Sequence, residues 1–299
     1  MKAGMETTQT TAQSATRRKA WRQRFRVFFA RGLIIKISFA ILVTFVLLTI
    51  FANFIAPYDP NAPNLIEALT EPSAGHLLGQ DNLGRDVLSR IIYGGRVSLS
   101  ASVLAGSLAA VIGIGLGLFS GYYGGLAGRS IMGFTDVMLS IPSLVFSLIV
   151  AAIMGGGLVS LVFAIGLSMV PTYIRMVNGL VLSLKENDYI VASRLIGQRE
   201  SFILLKHLLP NSFPTLIVLY TINLGNGVLT ESTLSYLGVG ISPPTASWGG
   251  MVAEVYPYLI SAPWLVLSPG ICIILIIISF NVVGDGLRDA LDPRLRGKL

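Results

Sequence analysis

The chain has 299 residues and a formal net charge of +7, with 53% hydrophobic and only 12% charged residues, where a soluble domain carries about 25% charged. So few charges cannot cover a water-facing surface, which excludes the ordinary soluble enzyme and the disordered chain alike. Nine of the 22 Lys and Arg residues lie at or before Lys36. The positive charge is therefore a block flanking an apolar run, as on the cytoplasmic side of a membrane anchor, and not a nucleic-acid surface.

Residues 1–36 read as a basic cytoplasmic tail whose first 20 residues, polar and Thr-rich, are expected to be unordered. Ile37 to Ala56 then gives 20 residues without a charge, longer than the roughly 7–15 apolar residues of a cleaved signal. Pro57-Tyr58-Asp59-Pro60 follows in place of a small-residue cleavage site. The run predicts a retained first transmembrane helix of about 30 Å. Residues 57–97 predict an extracytoplasmic segment. Its second half sets Val87, Leu88, Ile91 and Ile92 at helical spacing, with Arg85, Asp86, Ser89 and Arg90 between them. This predicts an interfacial helix with one wet face leading into the second span.

Charge gaps place the rest. No charge lies between Arg96 and Arg129, Asp136 and Arg175, Lys206 and Glu231, or Glu254 and Asp285. Val137 to Ile174 is too long for one crossing, and Gly155-Gly156-Gly157 supplies the turn that divides it. The expectation is an all-α polytopic membrane protein with six transmembrane helices, near 37–56, 98–120, 137–154, 158–180, 212–232 and 264–284. With both termini cytoplasmic, 19 of the 22 basic residues fall inside, leaving Arg85, Arg90 and Arg96 outside, in keeping with the positive-inside tendency. Thr233 to Pro263, rich in Gly and Pro, predicts an outer loop with re-entrant turns, and 285–299 a cytoplasmic tail.

Gly113, Gly117, Gly121 and Gly125 recur every four residues, a stripe on which a second helix can approach closely. Gly113-Ile114-Gly115-Leu116-Gly117 lies in an apolar helix with no strand before it, so it is no dinucleotide loop. No Gly-x-x-x-x-Gly-Lys-Ser/Thr loop occurs, so ATP hydrolysis has no home of that kind here. Cys272 is the only cysteine, and His76 and His207 stand far apart. Neither a metal site, a cofactor nor a catalytic constellation is expected.

Residues 181–211 form the informative cytoplasmic loop. Asn187 or Asp188 can cap a short helix that Gly197 ends in the left-handed conformation. Tyr189, Ala192 and Ile196 share one face, which suits docking into a partner's groove, or lying as a plain connector on the membrane. A second short helix starts near Glu200 or Ser201, with Pro210 as its end. In span five, Asn223, Asn226 and Thr230 fall at i, i+3 and i+7, with Glu231 at the outer end. Such groups are costly against lipid and either line a path or bond a neighbouring helix.

The loop resembles that of bacterial ABC importer permeases, whose pattern runs Glu-Ala-Ala, three residues, Gly, nine residues, Ile-x-Leu-Pro. Ala192, Gly197, Leu209 and Pro210 match it, while Val191, Ser193 and His207 depart. Three more stretches resemble the C-type subunit of the dipeptide, oligopeptide and nickel branch: Leu78 to Arg90; Leu234 to Gly240 with Pro243-Pro244 and Ser247-Trp248-Gly249; and Asn281 to Pro293. The resemblance implies the type I ABC importer permease fold, with the permease domain over 98–284, in a bacterial or archaeal plasma membrane. It implies a subunit without ATPase activity of its own, forming half of a heterodimeric pore with a second related permease subunit. Two ABC ATPase subunits and an extracytoplasmic solute-binding protein are the further partners, and no nucleic acid is among them. It also implies an ATPase-docking surface at Asp188, Ala192, Ser193, Arg194, Gly197, Gln198, Arg199 and Glu200. The solute implied is a dipeptide or oligopeptide, with nickel, a metallophore or glutathione as alternatives; a membrane scaffold without transport is the reading from another class.

Overall fold

The computed structural model describes residues 32–291; the tails expected before Lys36 and after Asp285 lie largely outside this range. Among the described residues the chain is helical, with one isolated bridge, Gln80 to Asp86, and no named strand. In chain order the helices are α1 (Leu33–Ile50), α2 (Ala52–Ile55), α3 (Val87–Tyr123), α4 (Gly125–Ser140), α5 (Ser143–Met154), α6 (Gly157–Leu184), α7 (Asp188–Leu195), α8 (Glu200–Ile203), α9 (Leu209–Tyr236), α10 (Trp248–Val255) and α11 (Pro263–Leu291). Five stretches are long and apolar enough to cross a membrane, and the bent pair α4 and α5 makes a sixth.

That pair corrects the expected straight span over 137–154. Pro142 forces Ile141 into extended backbone (φ −89°, ψ 127°) because its ring disfavours helical geometry in the residue before it. The chain turns by 91° between the two helices. At the other end of α5 the three glycines all take positive φ, 82°, 79° and 87°, so the expected turn is present.

The core is the contact of α3 with α6. A Cβ at Gly113 would lie 2.3 Å from Tyr173 Cβ, at Gly117 2.6 Å from Val177 Cβ, and at Gly121 2.8 Å from Val181 Cβ. Missing side chains let the two backbones approach, and Ala105, Ala109, Leu161, Ala164 and Ile165 extend the seam. Gly125 lies past the end of α3 and faces open space, so three of the four spaced glycines do this work.

The expected helix leads into the second span, but its expected wet face is overturned. Val87 to Tyr123 is one continuous helix of 37 residues, capped by Asp86, whose Oδ2 accepts from the Ser89 N–H at 2.8 Å. The polar face at its start is the buried one. Asp81 Oδ2 accepts from Arg85 Nε at 2.7 Å and lies 3.3 Å from Arg90 Nε; Glu254 Oε2 accepts from Arg90 at 3.1 Å and also pairs with Arg85. Side-chain exposure is 4% or less for the first three and 19% for Glu254. Two guanidiniums and two carboxylates satisfy one another, so the charges avoid lipid and water by pairing. Sequence periodicity registers polarity, not the partner that neutralises it.

This cluster ties 57–90 to the segment after α9. That segment folds as a compact cap: Trp248, fully buried, donates from Nε1 to Ile91 O at 2.9 Å. Arg96 donates to Thr49 O and Ile50 O at 3.0 and 3.1 Å, placing a cation on the last carbonyls of α1. We call this the cap end of the bundle and the α7 end the loop end.

The expected stop at Pro210 is also corrected. Leu204–Leu208 is a π-helical turn that carries α8 directly into α9, with Pro210 in the first turn of α9. The widened π turn before it makes room for the proline ring, which has no N–H to donate, within a helix that runs on.

Two outcomes are expected. Gly117→Ala should destabilise the detergent-solubilised chain by about 1–3 kcal/mol through overpacking. Gly115→Ala, facing open space on the same helix, should leave the thermal midpoint unchanged or raised; equal effects would disprove the seam. Asp81→Asn, which leaves two buried arginines sharing Glu254 as their one carboxylate, should cost up to about 3 kcal/mol and lower the thermal midpoint accordingly.

Candidate functional site

At the loop end the chain builds a short helix with its own punctuation. Asp188 stands in the first turn of α7 and Arg194 in its last, each with the sign that complements the helix dipole. Asn187 occupies the N-cap with extended backbone, but its side chain bonds back to Leu184 O at 2.9 Å and not to the α7 amides. Gly197 takes φ 76°. Its N–H donates to Arg194 O at 2.9 Å and the Gln198 N–H to Ser193 O at 3.1 Å, the bond pair of a Schellman ending.

The inner side of α7, α8 and the π turn that follows is anchored. Ile190, Ile203 and Leu208 are fully buried against Leu118, Tyr122, Val177, Val181 and Leu216. Ser193 belongs to this inner face: it is 8% exposed and its hydroxyl donates to Tyr189 O at 2.8 Å. It therefore does not stand with the outward residues among which the family pattern grouped it.

The opposite face is open. Leu195 and Ile196 are 82% and 74% exposed, and Tyr189, Val191, Phe202 and Leu205 lie exposed around them. Asp188, Ala192, Gly197, Arg199 and Glu200 are exposed and Gln198 half-buried. Arg194 is outward but held: its Nε donates to Tyr122 OH at 3.3 Å and its guanidinium carbon sits 4.7 Å from the ring centroid.

Sequence reasoning missed the residues that brace this surface. Tyr122 is one. Lys185 is another, its Nζ donating to Gly121 O at 3.0 Å and so capping α3. His207, at a departure from the family pattern, meets Gln198 Oε1 at 3.3 Å and packs edge-on against Tyr189 and Phe202. Asn211 donates to Tyr189 OH at 3.2 Å. The available signal was the aromatic spacing across 189–207.

The polar residues of α9 do not act as one stripe. Asn223 is buried in the bundle and Asn226 is exposed; Thr230, half-buried, donates back to Asn226 O at 2.8 Å. Glu231 is fully buried at the cap end, accepting from Ser235 Oγ at 2.8 Å and reaching Ser232 Oγ at 3.5 Å. A second charged feature lay unread between the charge gaps: Arg175 on α6 is ion-paired with Asp136 on α4, both exposed on the outside of the bundle.

A bundle of membrane-spanning helices, broken at Pro142 and carrying a punctuated helix at one end with an anchored and an open face, defines a transport-type membrane component. Residues 113–297 match the family described as the inner membrane component of binding-protein-dependent transport systems, and residues 19–72 match the N-terminal transmembrane domain of oligopeptide transport permease C. The chain belongs to this family of ABC importer permeases.

Its relatives include the glutathione transport system permease GsiD of Pectobacterium atrosepticum, 37% identical with 93% of each chain covered. The dipeptide transport permease DppC of Haemophilus influenzae is 38% identical over 92% of this chain and 95% of its own. The probable D,D-dipeptide permease DdpC of Escherichia coli is 39% identical over 87% and 88%. In fold the chain resembles a solved inward-facing form of the MetNI methionine ABC transporter, with TM-score 0.57 and 20% identity over 69% of this chain and 97% of that one.

Gly197→Ala should strain the α7 ending by about 1–2 kcal/mol although a Cβ there meets no atom within 4 Å. The measurement is protease sensitivity of the 185–205 loop, expected to rise, against an unchanged thermal midpoint of the bundle.

Proposed function

We propose that this chain forms half of the pore of an ATP-driven importer of dipeptides and other short peptides, in the inner membrane of a bacterium. The other half is a second, related permease subunit. Two ATPase subunits dock at the loop end, which is cytoplasmic together with both termini, and an extracytoplasmic binding protein delivers the peptide at the cap end. The chain itself hydrolyses no ATP.

The observation that carries the docking role is the two-faced α7. Its inner face is fastened to α3, α6 and α9 through Ile190, beside which Ile203 of α8 and Leu208 of the π turn pack into the same cluster, while Leu195 and the C-cap Ile196 stand open. A helix of eight residues is too short to be stable alone, so its rigid display depends on that inner packing. Force applied to α7 therefore reaches the spanning helices directly. Asp188, Gln198, Arg199 and Glu200 form the polar margin of the docking surface, with the small residues Ala192 and Gly197 among them, and Arg194 adds a cation already oriented by Tyr122. Rocking of the spans then switches the path from one side of the membrane to the other. Within the bundle, Asn226 and Thr230 are the α9 groups placed to meet solute. Asn223 and Glu231 serve helix packing, because both are buried.

The peptide assignment draws on relatives named for dipeptides and D,D-dipeptides. Glutathione, itself a short peptide, is the second reading, favoured by the similarity to GsiD over 93% of both chains.

The test is uptake of labelled dialanine, glutathione and nickel in cells lacking the gene and in cells with it restored. Dialanine uptake that vanishes and returns is the expected result; recovery of nickel uptake alone would overturn the peptide assignment. In the same cells Leu195→Glu with Ile196→Glu should abolish uptake and the co-purification of ATPase subunits while the permease remains in the membrane. Normal ATPase co-purification would remove the docking role.

A further inference from the structure

Among the described residues of the spanning helices, Arg90 and Glu231 are packed away at the cap end and Arg96 is held against the last carbonyls of α1. Arg175 and Asp136 are different. They are ion-paired across α6 and α4, yet 54% and 61% of their side chains remain exposed. Both lie in elements apolar enough to cross a membrane. Arg175 stands nine residues before the loop end of α6 at Leu184, about 14 Å along the axis. Charges at such depth are held toward a bundle interior or a water-filled cavity, because hydrocarbon cannot solvate them. This wall is therefore not a lipid face.

The same wall carries an open groove of about 510 Å³, lined by Leu139, Thr172, Arg175, Met176, Gly179 and Ser183 among others, a size within the usual range of small-molecule sites. Its chemistry is mixed in a particular way. There is one cation with a planar, forked donor face that suits a carboxylate. Asp136, ion-paired with Arg175 at the edge of the groove though not itself in its lining, adds a carboxylate whose two acceptor oxygens suit an ammonium. Two hydroxyls and an apolar floor complete the lining.

We propose that this groove is a substrate-contact site on the translocation path. It takes a small peptide with free termini, whose carboxylate pairs with Arg175 and whose ammonium pairs with Asp136. The proposal rests on the peptide reading given above and deepens it. Arg175 and Asp136 compensate each other, so a zwitterion exchanges one ion pair for two without leaving either charge bare. Thr172, one turn from Arg175 on the same helix, can meet the peptide amide, while Leu139 and Met176 offer apolar contact that reads no particular side chain. Recognition by the two termini alone fits a path that passes peptides of many sequences. A groove filled by a helix of the second permease subunit is the competing occupant.

Gly179 supplies the reporter, since a Cβ there meets no atom within 4 Å. The complete complex carrying Gly179→Cys, reconstituted in proteoliposomes, is labelled with a small maleimide under turnover, with and without dialanine. The parent chain with its single Cys272 gives the background. Dialanine should slow labelling at position 179. Arg175→Gln with Asp136→Asn, which leaves no unpaired charge, should remove that protection and lower dialanine uptake about tenfold, the loss of one charge-assisted pair, with ATP hydrolysis retained. If the doubly neutral complex fails to assemble, protection of Gly179→Cys alone still decides the matter.

Labelling blocked with and without dialanine would assign the groove to the subunit interface and overturn the proposal. So would labelling indifferent to dialanine while uptake proceeds, or wild-type uptake and protection in the doubly neutral complex. Failure of the intact parent complex to take up dialanine would overturn the peptide function itself, and this site with it.

Discussion

Everything in this molecule is registered against one contact, the glycine-faced approach of α3 to α6. Without side chains at Gly113, Gly117 and Gly121, the α3 backbone comes within touching distance of Tyr173, Val177 and Val181. In lipid no hydrophobic force drives helices together, so close van der Waals packing of this kind carries the association. The contact also has an address at each end. Near the loop end Lys185 bonds the carbonyl of Gly121; towards the cap end Gly166 faces Leu108 and Ala105.

Because α3 is continuous for 37 residues, about 55 Å of helix, it joins two structures that sequence alone would place on opposite sides of a membrane. Its first turns sit among Asp81, Arg85, Arg90 and Glu254, and its last turn offers Tyr122 to Arg194. The cap is held by paired charges and by Trp248 bonded to Ile91, the loop by apolar anchors and one cation–aromatic contact. An unbroken helix between them has no internal hinge, whereas the neighbouring α4 and α5 are broken at Pro142.

The parts of the fold that were legible in the sequence share a feature: they depend on local chemistry. Gly155-Gly156-Gly157 turns because glycine alone adopts positive φ cheaply. Gly197 ends α7 for the same reason, and the four-residue glycine spacing announced close packing. The parts that were not legible involve residues far apart in the chain. Arg85 and Arg90 look solvent-facing by periodicity, and nothing in 83–97 announces Glu254. Ser193 sits in the family's docking pattern, yet its hydroxyl turns inward to Tyr189 O. Pro210 reads as a stop until a π turn shows how a helix runs through it.

The sequence by itself determined that this chain lives in a membrane, roughly where it crosses, and that a short, well-punctuated helix interrupts the crossings. Those properties follow from charge-free runs, turn residues and caps, each of which acts within a few residues. Only the tertiary structure decided which polar groups are buried, which are open, and which meet. Arg175 and Asp136, 39 residues apart, acquire a shared meaning only when α4 folds back against α6. Pairing across such distances is set by helix packing, and a charge takes its role from the partner that packing brings to it.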